Sequence, residues 1–146
     1  MIRMSKQEQK LDVAWWALRI GFGAGPLLAG LDKFFNILAN WEMYLSPALA
    51  QLLPVSGGAF MRAVGVVEIV AGILVLSRWT RTGAYVVAAW LVAIALNLIW
   101  TGGFYDVAVR DLEMAVGAFA LARLTGFRQA TYARQSEPVR ELRSAA

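Results

Sequence analysis

Residues 57–76 read GGAFMRAVGVVEIVAGILVL. Twenty residues of this character cross about 30 Å of hydrocarbon at 1.5 Å per residue. Two of them are ionisable: Arg62 lies about five residues in and Glu68 about eleven, near the middle. A charge at the centre of a membrane helix costs ~2.5–3.5 kcal/mol on insertion scales, and is tolerated where it faces a bundle interior or water. The stretch therefore predicts a membrane-spanning helix, with Ser56 as its N-cap, whose charged residues meet something other than lipid.

Three more stretches of similar length flank it, at about 13–31, 83–100 and 106–124. The first, VAWWALRIGFGAGPLLAGL, carries Arg19 and Pro26; the third, GAYVVAAWLVAIALNLIW, has Asn97 as its strongly polar residue. The fourth begins at Asp106, a candidate N-cap, and carries Arg110, Asp111 and Glu113. The turns at 78–82 and 102–105 are short enough to require antiparallel hairpins. Between the first two stretches lies FFNILANWEMYLSPALAQLLP (34–54), apolar but interrupted by Asn36, Asn40, Glu42, Ser46 and Pro47. Ser46 followed by Pro47 is a cap and a first helical residue. This segment reads as one or two short helices on the outer membrane surface, with a re-entrant segment as the alternative. The expected fold is all-α: an integral membrane antiparallel four-helix bundle with interfacial helices after its first span. Residues 1–12 form a cytoplasmic N-terminal segment, 13–124 the transmembrane domain, and 125–146 a cytoplasmic basic tail.

Composition supports this reading. Hydrophobic residues make up 59% of the 146, and the mean hydropathy is +0.55. Soluble domains run nearer 45–50% apolar. Cysteine and histidine are absent, which excludes disulfides, thiolate sites and histidine-ligated haem or metal on this chain. No metal site and no covalently bound cofactor is expected. The net charge of +4 does not point to nucleic acid, because the basic residues follow membrane topology. Arg3, Lys6, Lys10, Arg78, Arg81, Arg123, Arg128, Arg134, Arg140 and Arg143 fall on one side, against Lys33, Arg62 and Arg110 on the other. Both termini are thus expected in the cytoplasm.

With that orientation the intramembrane charges gather in the outer half. Lys33, Arg62 and Arg110 supply three positive charges; Asp32, Glu68, Asp111 and Glu113 supply four negative ones. A nearly balanced set can pair internally and offset its burial. Arg110 and Glu113, three apart, share a helix face. Glu68 is the deepest, with no obvious helical partner, and unpaired it would be protonated at neutral pH. It is the candidate catalytic, proton-carrying residue, and Arg62, Arg110, Asp111, Glu113, Asp32, Asn97 and Trp100 are candidate ligand-binding residues. Arg19, on the cytoplasmic side, reads as a snorkelling side chain. The alternative for the whole set is that paired charges only fix helix register.

Small residues mark helix contacts in lipid. Gly21-x-x-x-Gly25 and Gly30 in the first span, Gly72 in the second and Gly117 in the fourth are the packing candidates. Glu68-Ile-Val-Ala-Gly72 echoes Glu113-Met-Ala-Val-Gly117, a faint parallel repeat of the kind some carriers show. Nucleotide-binding, serine-elbow and metalloprotease motifs are absent.

The stretches Arg19-Ile-Gly21…Gly30-Leu-Asp-Lys33-Phe, Val64-Gly65-Val-Val-Glu68-Ile-Val-Ala-Gly72 and Asp111-Leu-Glu-Met-Ala-Val-Gly117-Ala resemble the DoxX-like membrane proteins over about residues 13–126. The 34–54 segment is less typical of them. The resemblance implies a four-span bundle in the bacterial cytoplasmic membrane. It also implies a place in quinone-linked redox complexes, with quinone as the cofactor and other membrane or peripheral redox subunits as partners; a homo-oligomer is a further option. The other readings are a structural accessory subunit and a small lipid or solute carrier.

Overall fold

The computed structural model describes residues 6–144, with side chains for residues 10–133. All regular structure among them is helical. Helix α1 spans Lys6–Asp32, a 3-10 turn Trp41–Tyr44, α2 Pro47–Leu52, α3 Gly57–Leu76, α4 Thr80–Thr101 and α5 Tyr105–Ser144. Arg3 lies outside the described residues, and so do the side chains of Lys6, Arg134, Arg140 and Arg143.

Local chemistry sets most of the boundaries. The Ser56 hydroxyl accepts from the Ala59 N–H and starts α3. Ser46 accepts from Leu49 N–H, with Pro47 at the first position of α2. Gly102 closes α4 in the left-handed region, at φ 75°, where glycine alone pays no steric cost. Phe104, also left-handed at φ 56°, completes the reversal into α5. That helix begins at Tyr105, so Asp106 sits in its first turn rather than outside it. Two expected boundaries move outward. Helix α1 already runs from Lys6 through the polar N-terminal segment. Helix α5 continues for twenty residues past 124, so the basic tail is helical and α5 is about 60 Å long at 1.5 Å per residue. Both extensions contain good helix formers, and α5 runs on through Gly126 and Pro138.

The four long helices pack in the order α1, α3, α4, α5 around a ring, each against its neighbours. Every adjacent pair is antiparallel. Backbones approach closely where glycines face each other across α1 and α3. A Cβ on Gly30 would lie 2.5 Å from the Gly65 carbonyl oxygen, and one on Gly72 would lie 2.6 Å from that of Gly23. Both helices space these residues seven apart, two turns, so one seam repeats. Gly117 of α5 receives the Phe22 ring, 2.7 Å from where a Cβ would sit. The expected Gly21–Gly25 contact is not part of this seam: neither glycine has any atom within 4 Å of a Cβ position. Rotation by two residues on α1 turns Gly23 and Gly30 inward and leaves Gly21 and Gly25 on the outside.

The interior is small and the exterior large. Buried core positions include Ala71, Ala84, Ala95, Ala108, Ala118 and Ala122, while the largest fully buried side chains are Leu98, Leu121, Val75 and Val87. Val66, Val70, Ile73, Val116 and Phe119 point outward. A water-soluble bundle would bury its large apolar side chains, each stabilising by ~1.5–3 kcal/mol. Small residues inside and large ones outside are the pattern of helices that pack in lipid. Two helices, Gly57–Leu76 and Thr80–Thr101, are long and apolar enough to cross a membrane.

Candidate functional site

One end of the bundle carries the 33–56 connection; the other carries the start of α1 and the extension of α5. At the connection end, Asp32 closes α1. Its carboxylate accepts from the backbone N–H of Ile37 (3.0 Å) and Leu38 (3.0 Å) and from the Trp41 indole (2.8 Å). Asn36, left-handed at φ 53°, turns the chain so that these donors converge. Burial works against the Asp32 charge, yet the bonds from Trp41, Leu38, Ile37 and Ala39 outweigh it and hold the carboxyl below its ordinary value. The same fold-back lays the Trp41 ring 3.6 Å from the Lys33 ammonium.

Lys33 reaches inward. Its Nζ donates to Glu68 Oε2 at 2.6 Å, with both side chains almost wholly buried. The glycine seam creates this pair. The Cβ of Lys33 lies against Gly65 and that of Glu68 against Gly30. Cα–Cβ bonds tilt toward a helix N-terminus, so on antiparallel helices the two side chains lean toward each other. The Trp90 indole of α4 contributes a long bond, 3.5 Å, to Glu68 Oε1. Asp111 of α5 completes the cluster. It is 6% exposed, interacts electrostatically with Arg110, Glu68 and Lys33, and makes no hydrogen bond or salt bridge among the described residues.

The other candidate residues separate from this cluster. Arg62, Arg110 and Glu113 are exposed and none forms a salt bridge among the described residues, although the Arg110 charge acts on Asp111. The expected Arg110–Glu113 pair is therefore not made. Trp100 is 78% exposed and covers nothing. Asn97 faces the connection: its amide donates to the Tyr44 carbonyl (2.7 Å) and accepts from Ser46 N–H (3.3 Å). Glu42 stands beside Gly57 and Gly58 at the positive N-terminus of α3, close enough that a Cβ on Gly58 would meet its Oε1 at 2.7 Å. Glu68 and Glu113, equivalent in the suggested repeat, occupy opposite environments, buried and exposed.

Lys33 as the partner of Glu68, and Trp41 and Trp90 as its neighbours, were not expected. The available signal was Gly30-x-x-Lys33 set against Gly65-x-x-Glu68, two equal offsets from glycines that meet.

At the opposite end Arg19 does more than snorkel. Its guanidinium donates to the carbonyls of Val75 (3.2 Å), Leu76 and Ser77 (2.9 Å), the exposed acceptors at the end of α3. Trp15 donates to Thr125 Oγ1 at 2.8 Å, and Arg128 packs over its ring while pairing with Asp12 at 2.8 Å.

No protein-family model, curated protein or solved structure matches this chain.

Proposed function

We propose that this protein is a four-span membrane subunit of a quinone-linked redox assembly, with both termini in the cytoplasm of a bacterial cell. In this reading the connection end faces outward and its buried cluster receives a quinone headgroup. The observation that carries the reading is the buried Lys33–Glu68 pair, 2.6 Å apart, with Asp111 beside it. Ionisable residues inside a membrane bundle are costly to place and mark functional sites. The small-inside, large-outside arrangement supports the bilayer, and the DoxX-like stretches support the redox assembly. Charge count narrows the ligand. With Arg62 apart and Arg110 acting on Asp111, two positive groups, Lys33 and Arg110, balance two acidic ones, Glu68 and Asp111. That favours a neutral polar headgroup over a small anion.

Purification in mild detergent with mass spectrometry of bound lipids tests the ligand directly. Quinone-linked turnover of the native assembly should be abolished by Glu68→Gln, measured below that variant's lowered thermal transition while it is still helical; full turnover in that variant contradicts the proposal.

One observation favours a second reading, that of an accessory subunit. Gly21 and Gly25 lie on an open outward face of α1, available to a neighbouring helix. In that case Gly21→Leu disrupts co-purification of partners and Glu68→Gln does not.

A further inference from the structure

The chain leaves α1 through a short apolar loop, Lys33-Phe-Phe-Asn-Ile-Leu38, before the 3-10 turn. Its apolar side chains face out: Ile37 is 80% exposed, and Phe34, Phe35 and Leu38 are exposed with it. Its backbone donors do the opposite. Every N–H from Lys33 to Leu38 finds an acceptor within the chain. Lys33 donates to the Ala29 carbonyl, Phe34 to that of Leu31, and Phe35 and Asn36 both to that of Asp32. Ile37 and Leu38 donate to the Asp32 carboxylate, which also takes the Trp41 indole. Asn36, at φ 53°, makes the turn that allows this.

A loop in water has no need of this arrangement, because water satisfies exposed backbone donors. A loop against hydrocarbon does need it, because no water is there to take their place. Four adjoining apolar side chains are also favourable outside the core only where something apolar covers them. The patch continues onto Leu28 and Leu31, exposed in the last turns of α1, so it joins the apolar exterior of the bundle. We propose that Phe34, Phe35, Ile37 and Leu38 form a wedge seated in the acyl chains of the outer leaflet, with Asp32 as the acceptor that lets the backbone enter with them. The occupant is lipid and not another protein. A protein interface carries about one hydrogen bond per 100–200 Å², and this loop has no backbone N–H left to offer one. Asn36, polar and exposed, keeps the wedge at the boundary between headgroups and acyl chains. The inference rests on the membrane orientation proposed above and is independent of the quinone.

Because the chain has no cysteine, single cysteines can be spin-labelled one at a time. The test uses the full chain in phosphatidylcholine vesicles, with molecular oxygen and a water-soluble nickel chelate as relaxation agents. Labels at Phe35→Cys and Ile37→Cys should collide with oxygen several-fold more than with nickel. Val70→Cys, exposed on α3, supplies the hydrocarbon reference. Nickel preferred at both loop positions, with oxygen preferred at Val70, overturns the wedge and leaves the membrane orientation standing. Nickel preferred at all three overturns both. Weak collision with either agent at the loop positions means a protein cover, a partner or a second copy, and also overturns the wedge. Asp32→Ala combined with Ile37→Cys should shift the label several-fold toward nickel while the helical content is kept, since two backbone donors then need water. An oxygen preference unchanged by Asp32→Ala overturns the part assigned to that carboxylate.

Discussion

The two ends of the bundle join different parts of the chain. At the end where α1 begins, Arg19 fills the exposed carbonyls of α3, Trp15 finds Thr125 and Arg128 finds Asp12. These three join one long helix to another, with the buried Nε of Arg128 left without a hydrogen bond. At the connection end, Asp32 and Asn97 bind the fold-back segment, and Lys33 joins α1 to α3 through Glu68. Asp111 lies beside that pair with Arg110, Glu68 and Lys33 as its charged neighbours. One end is thus helix against helix, while the other also ties a connection down over a buried ion pair.

The sharpest way to break this comparison is at the seam that both ends share. Gly30→Leu drives a side chain into the Gly65 carbonyl. Because the obstruction is backbone, the cost should exceed ~3 kcal/mol, the upper range for ordinary overpacking. Loss of the cooperative thermal transition in detergent would show it, while Gly21→Leu, with open space around it, should melt as wild type does.

Next in size is Arg19→Ala, which strips three carbonyls of their donor. A loss of about 2 kcal/mol is expected from charged hydrogen bonds that are partly exposed. Arg19→Lys should not restore it, since an ammonium cannot span three acceptors as the planar fork does. Chemical denaturation of the three proteins would compare them.

Asn97→Ala should cost about 1 kcal/mol, the range of one neutral hydrogen bond. Its effect should be local: faster amide exchange and proteolysis around Tyr44–Ser46, with Lys33–Glu68 unaffected. Global loosening would mean that the connection and the site are one unit.

The smallest effect belongs to Asp32. Its carboxyl is held below the ordinary value in the folded chain, so its contribution is present above the usual carboxylate range. That contribution is lost as pH falls through the lowered folded value. Exchange at Ile37 and Leu38 should therefore speed up only under acid conditions, and Asp32→Asn should bring the fast exchange to neutral pH.

Much of the fold could be read from residue patterns alone. Apolar runs at 57–76 and 83–100, the Ser56 and Ser46–Pro47 starts and the short turns correspond to α3, α4, α2 and antiparallel hairpins, because these depend on local chemistry. Helix rotation could not be read in the same way. Gly21-x-x-x-Gly25 fits a packing motif as well as Gly23 and Gly30 do, and only the partner helix decides which pair turns inward. The same ambiguity governed the charges. Depth along a helix placed Arg62, Glu68, Asp111 and Glu113 together, but a step of two residues turns a side chain through about 200°. Glu68 and Asp111 consequently face in, and Arg62 and Glu113 face out. Lys33 follows the end of α1, and its position along the chain does not reveal that α3 extends beyond that end and that the connection folds over it.

The claim on which the account rests is that Lys33 and Glu68 meet as a buried pair between α1 and α3. A double-mutant cycle with Lys33→Met, Glu68→Leu and their combination, measured by unfolding in detergent, tests it directly. Each single substitution should destabilise by about 3–5 kcal/mol by stranding a buried charge, and the combination should regain most of that loss. Small single effects that simply add would contradict it.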